Sequence, residues 1–140
     1  MTRDNPLQGV AGTWKITTLG TPEALEPVVD FLFEVQSTRL SGVYKLNLGW
    51  CNPWRMFFGI SDRGMEQPQI PPSVPSWEFS TVQTLRSCID QTNKAPLGIN
   101  EQEQFIYDFF FEYPAIERKG DRVVFRSEHG TFVEVRRRIF

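Results

Sequence analysis

The stretch Ser41–Asn52, SGVYKLNLGWCN, decides how the rest of the chain is read. Val43, Lys45 and Asn47 alternate with Tyr44, Leu46 and Leu48, the period of two that side chains follow on a pleated strand. The run breaks at Gly49 and sets an aromatic, a thiol and an amide side by side at Trp50, Cys51 and Asn52. Pro53 forbids a regular continuation, because its φ is fixed and it has no backbone N–H. A strand ending in such a corner either locks a fold together or frames a site.

Outward on the N-terminal side, the spacing predicts a meander. Ser37-Thr38-Arg39 turns the chain back to Val28–Gln36, where Phe31, Phe33 and Val35 share one face of a strand. Glu26-Pro27 and Thr21-Pro22-Glu23 mark the loop before it. In Leu7–Leu19, Trp14, Ile16 and Thr18 alternate with Thr13, Lys15 and Thr17 as on a half-buried strand. Residues 1–6 read as a flexible N-terminal tail. The connections are short, so neighbouring strands are expected to pair antiparallel.

On the C-terminal side, Trp54–Ile60 predicts a fourth strand, ended by Ser61-Asp62-Arg63-Gly64. The segment Met65–Ser76 carries Pro68, Pro71, Pro72 and Pro75, a density that excludes helix and central strand and predicts an extended surface loop. Trp77–Ser80 is expected to resume strand character. Asn100–Tyr113 predicts a helix, with Asn100 as cap and Glu103 closing a capping box. Phe105, Ile106, Phe109, Phe110 and Tyr113 then occupy one face, and Glu101, Gln104, Asp108 and Glu112 form a polar stripe. Phe105, Tyr107, Phe109, Phe111 and Tyr113 also fit a period of two, but the cap and the stripe favour helix. Such a helix has to lie on the sheet, the only large apolar surface available. Pro114 ends it. Hairpins turning at Lys119-Gly120-Asp121 and Ser127-Glu128-His129-Gly130 complete the chain.

The chain has 140 residues, enough for one domain with a real core. Hydrophobic residues make up 40% and charged residues 23%, which places it among globular chains. Aromatics reach 14%, with 12 Phe, so either the core is thick with rings or a cavity is lined by them. The formal net charge of −2 creates no field for nucleic acid or an anionic membrane. No leader pattern opens the chain, and no apolar run approaches the roughly 20 residues of a membrane span. The expectation is a soluble, cytoplasmic protein with no membrane insertion and no nucleic-acid partner.

Several fragments stand in a familiar order. Gly12-Thr13-Trp14 opens the first strand, and Ser41-Gly42 precedes a strand ending in Cys51-Asn52. A Thr-x-x-x-Cys element runs from Thr84 to Cys88. Then come Glu101-Gln102-Glu103-Gln104-Phe105 and a final hairpin with Gly120-Asp121 before Val123-Val124-Phe125. In this order the chain resembles the META domain family, HslJ-like proteins among them, from about Leu7 to Arg136. Two departures stand out. Trp50 precedes the cysteine where the family has glycine, and the proline-rich insert is longer than the family's connection. The resemblance implies residues 7–138 as a single META-like domain, β-rich with one packed helix. It also implies a non-enzymatic structural or protein-interaction role associated with stress or secretion.

Cys51 and Cys88 match the family's two cysteine positions and form the candidate structural or redox pair. In a reducing compartment the default is two buried thiols. A nucleophilic thiol needs a base or a positive field beside it, and His129, the one histidine, lies far away in sequence in a turn. Neither a zinc-ligand cluster nor a phosphate-binding glycine loop nor a nucleophile elbow is present in the sequence, so no cofactor is expected. The acid pairs Glu101/Glu103 and Asp108/Glu112 read as a solvated helix face. For a protein partner, the first candidate surface is the proline-rich loop with Trp54 and Trp77 beside Pro68, Pro71, Pro72 and Pro75.

A second resemblance competes. In lipocalins and fatty-acid-binding proteins a Gly-x-Trp on the first strand packs against an Arg from a late strand, and the barrel encloses an apolar ligand. Gly12-Thr13-Trp14 and the run Arg136-Arg137-Arg138 resemble that closure, which implies a carrier of a small apolar ligand. The expected architecture is α+β, mainly β, a strongly curved, barrel-like antiparallel sheet with one amphipathic helix packed against it; a strand over Phe105–Tyr113 would instead strengthen the carrier reading, and helix rings filling the concave face would leave it no cavity.

Overall fold

The structure is a computed structural model that describes residues 11–21, 23–50, 53–83 and 98–138. Ten strands form one antiparallel sheet: β1 (Gly12–Gly20), β2 (Ala24–Leu25), β3 (Leu32–Ser37), β4 (Tyr44–Gly49), β5 (Trp54–Ile60), β6 (Met65–Glu66), β7 (Val82–Gln83), β8 (Ala115–Lys119), β9 (Arg122–Arg126) and β10 (Phe132–Arg137). The order across the sheet is β6-β5-β4-β3-β1-β10-β9-β8, with β2 on β1 and β7 on β5. The two ends of this order meet at one bridge, Gly64 to Ala115. There Met65 N–H donates to the Pro114 carbonyl and Ile116 N–H to the Arg63 carbonyl, both at 3.0 Å. The sheet is thus a nearly closed barrel, and the expected fold class is observed. Among the described residues no helix is long and apolar enough to cross a membrane.

Strand β1 makes the curvature possible. Its first residues, Gly12 and Thr13, pair with Val35 and Glu34 of β3, and from Trp14 onward it pairs with β10. The register slips between Ile16 and Thr18. An extra residue on one strand bends it and shifts the alternation. Trp14, Ile16 and Leu19 can therefore all be buried although their spacing is not a strict two.

The inward residues of the strands form one cluster with the helix α1 (Ile99–Phe111). Phe33, Val35, Leu46, Leu48, Met56 and Phe58 come from β3 to β5, and Val123, Phe125, Val133 and Val135 from β9 and β10. Ile106 and Phe110 of α1 reach the centre, both fully buried. The Phe110 ring lies 5.5 Å from Phe33 and 5.0 Å from Phe125, in the tilted and edge-on geometries that aromatic quadrupoles favour. Glu101, Gln104, Asp108 and Glu112 are exposed, as the polar stripe predicts. The helix rather than the strand alternative is correct, because thirteen residues with one apolar face can cover the barrel core while keeping their backbone bonds internal.

Several boundaries differ from the sequence reading. β3 starts at Leu32, not Val28, because Val28 N–H is taken by the Gln102 side chain at 2.8 Å and Phe31 N–H turns back to Val29. β4 starts at Tyr44, not Leu40, because Thr38 holds a tight turn through its N–H and hydroxyl to the Val43 carbonyl. The strand expected at Trp77–Ser80 is a short 3-10 helix, Ser76–Phe79, and the strand that follows is Val82–Gln83. The proline-rich segment is only partly extended, since Val74 N–H closes a turn onto Pro71.

Candidate functional site

Cys51 and Cys88, with Asn52 and the Thr84–Cys88 element, lie outside the described residues. Of the corner itself, Gly49 has φ +126 and Trp50 is half exposed. What holds it is a residue the sequence reading placed elsewhere. Glu103 closes no capping box: the helix N-cap is Gly98, with φ +86 and no side-chain cap bond. Nor does it lie on a solvated face. Glu103 is 4% exposed, and its carboxylate accepts the Trp50 N–H at 2.5 Å. A buried carboxylate is costly unless it is hydrogen-bonded, so this contact joins helix and corner with high specificity. The signal was in the spacing. Glu103 stands three residues before Ile106 and seven before Phe110, on the buried face.

The candidate partner surface divides in two. Trp54 does not belong to it: the ring is buried inside the barrel, edge-on to Tyr107 at 4.9 Å. The position is the first of β5, and the inward alternation of Trp54, Met56 and Phe58 decides it. Trp77 does belong, 72% exposed, on the outside of the fold. Pro71, Pro72 and Pro75 are exposed and Pro68 half buried.

The strap that carries Trp77 is anchored to the sheet by the two residues that follow it. Phe79 packs edge-on to Phe57 at 5.0 Å and covers that outward-facing ring of β5, which is 6% exposed. Glu78 pairs with Arg39, whose guanidinium also lies over the Phe79 ring at 5.8 Å. Glu78 N–H donates to the Pro75 carbonyl at 3.1 Å, and the Ser80 hydroxyl donates to the Trp77 carbonyl at 2.9 Å. A large apolar ring on a fixed backbone loses little conformational entropy when a partner covers it.

Where β6 meets β8, an open groove of about 630 Å³ runs across the barrel rim. Three connections line it: the β5–β6 turn, the link from α1 to β8, and the β9–β10 turn. Its floor includes Met65 and Pro114, both buried. Its walls hold charged groups that largely pair with one another. Arg63 lies 3.4 Å from Glu128, and His129 Nε2 lies 3.6 Å from Glu112. Arg126 donates to Glu117, outside the groove, at 3.0 Å. That hydrogen bond holds the Glu117 carboxyl below the usual carboxylate range. His129 is exposed, as its turn position predicts. A second open groove, of about 430 Å³, lies beside the β1 bulge between Lys15 and Asp30.

Among the described residues no group of three or more His, Cys, Asp or Glu is arranged to hold a metal ion. The arginine run is dispersed by its strand: Arg136 approaches Glu134 at 3.8 Å, Arg138 pairs with Asp30, and Arg137 lies over the Trp14 ring at 5.2 Å. No family model, curated protein or solved structure matches the chain.

Proposed function

We propose that this chain is a non-enzymatic, META-like protein-interaction module that engages its partner through Trp77 on the anchored strap. One observation carries the reading: a tryptophan 72% exposed on a segment fixed by the Phe79–Phe57 contact and the Glu78–Arg39 pair. Water gains from losing that ring to a partner, and the strap is already ordered to present it. The stress- or secretion-associated role follows from the family resemblance. The test is a quantitative affinity capture from the source cells, comparing the native chain with Trp77→Ala. A partner enriched on the native chain and lost about tenfold or more on the variant is expected, the loss of a typical hot spot. Equal enrichment on both would overturn the proposal.

The carrier reading is favoured by one observation, the Arg137 guanidinium over Trp14 at the junction of first and last strands. Against it, Ile106, Phe109 and Phe110 of α1 occupy the volume an apolar ligand would take. A lipid seen by native mass spectrometry on freshly purified protein would favour the carrier; protein of bare mass would favour the interaction module.

A further inference from the structure

The groove at the barrel seam contains two polar groups without a partner. Tyr113 and Glu66 both line it, and among the described residues neither the phenol hydroxyl nor the Glu66 carboxylate makes a hydrogen bond or ion pair. The other charged groups of the lining are engaged, Arg63 with Glu128 and His129 with Glu112 across its walls and Arg126 with Glu117 outside it. The rest of the surroundings is electron-rich. The groove opens at the C-terminal end of α1, where the helix dipole concentrates partial negative charge. Met65 and Pro114, both buried, are apolar lining residues of the groove.

Tyr113 itself is an unusual choice. It follows the helix C-cap Glu112 and has φ +55, the only described non-glycine residue in the left-handed region. Glycine or asparagine normally fills this position, because a Cβ there costs about 1 kcal/mol or more. A bulky ring kept at that cost is half buried against the core, and the residue lines the groove.

We infer that the seam groove binds a primary ammonium group on a short aliphatic stem, the Glu66 carboxylate meeting its charge, the Tyr113 hydroxyl accepting one N–H, and Met65 and Pro114 receiving the stem. The net lining decides the sign. Two guanidiniums face three carboxylates, and Arg126 is already neutralised by Glu117 from outside the groove. An anion would have to displace those pairs, whereas a cation adds to the one carboxylate left over. The site is distinct from the Trp77 strap and stands or falls independently of it.

The test is chemical-shift titration of the full chain with n-butylammonium, with butyrate and inorganic phosphate as opposite-charge probes. Saturable shifts confined to residues 61–66, 112–115 and 126–129 are expected, with a Kd on the order of 1–10 mM for so small a probe. Glu66→Gln should weaken binding about tenfold and Tyr113→Phe about threefold, each with an unchanged melting temperature. Trp77→Ala should bind as the native chain does. A capped lysine tripeptide binding more tightly than butylammonium would identify the source as a partner's side chain, and the reverse order a free amine. Saturation by butyrate or phosphate, shifts outside the groove, or full affinity in Glu66→Gln would overturn the inference.

Discussion

The guanidinium of Arg137 lies 5.2 Å from the centre of the Trp14 ring, joining the last residue of β10 to the third residue of β1. Strands β1 and β10 pair along Trp14–Gly20, and Trp14, 1% exposed, closes that end of the core. Truncating the two residues should therefore have unequal effects. Trp14→Ala removes a large buried side chain and should cost about 3–5 kcal/mol. Arg137→Ala removes a rim cation and should cost about 0.5–1 kcal/mol. Urea denaturation of both variants checks the ratio; equal losses would mean that Arg137 closes the barrel by more than its ring contact.

Gly64 sits at the one bridge that, among the described residues, brings the two ends of the sheet together. A Cβ there would lie 2.4 Å from Ile116 N and 2.7 Å from Ala115 Cα, and its φ is +144. Gly64→Ala should destabilise by more than about 1 kcal/mol through backbone strain alone. Amide exchange should rise first at Met65 and Ile116, whose N–H groups make the seam bonds. Protection at those two amides equal to the native level would show that the seam tolerates the methyl.

Glu103 ties α1 to the corner after β4. Glu103→Ala leaves the Trp50 N–H without its acceptor and should cost about 1–3 kcal/mol, whereas Glu103→Gln keeps an acceptor and should cost less. A blue shift or red shift of tryptophan emission confined to the alanine variant would report the released corner. Identical stability in all three proteins would contradict the role.

The strap separates display from anchoring. Phe79→Ala removes the ring that covers Phe57 and should cost about 0.5–1.5 kcal/mol beyond its lost area, with faster proteolytic cleavage between residues 67 and 80. Trp77→Ala should change stability by less than about 0.5 kcal/mol, since the ring has almost no contacts to lose. Thermal melts with limited proteolysis distinguish the two.

Burial raises the Tyr113 hydroxyl above the usual tyrosine value of 10.0. The folded state therefore holds the proton more tightly than the unfolded one. The stability this adds is complete below the unfolded value near pH 10 and is lost as pH rises through the folded value. Ultraviolet titration should show a late tyrosinate phase, and Tyr113→Phe should remove it. A late phase that survives in Tyr113→Phe would contradict it.

Local chemistry alone determined much of this protein. An apolar run between breakers placed β5 at Trp54–Ile60 and turn residues placed the final hairpins, while periodicity marked the buried face of Phe31, Phe33 and Val35 and the exposed stripe of α1, because burial on one side of an element repeats with that element's own period. Proline density placed the strap at the surface for an equally local reason. Tertiary structure decided everything that depends on which segments meet. Trp54 and Trp77 are both tryptophans near a proline-rich loop, yet one lies inside the barrel and the other outside, because strand phase is set by pairing with β4. Glu103 carries the same acid as Glu101, but the approach of the Trp50 amide, fifty-three residues away, makes it a buried acceptor. The seam groove, with Glu66 and Tyr113 in its walls, is assembled from three turns distant along the chain. No periodicity in one segment encodes a neighbour supplied by another, so that site exists only once the sheet has closed.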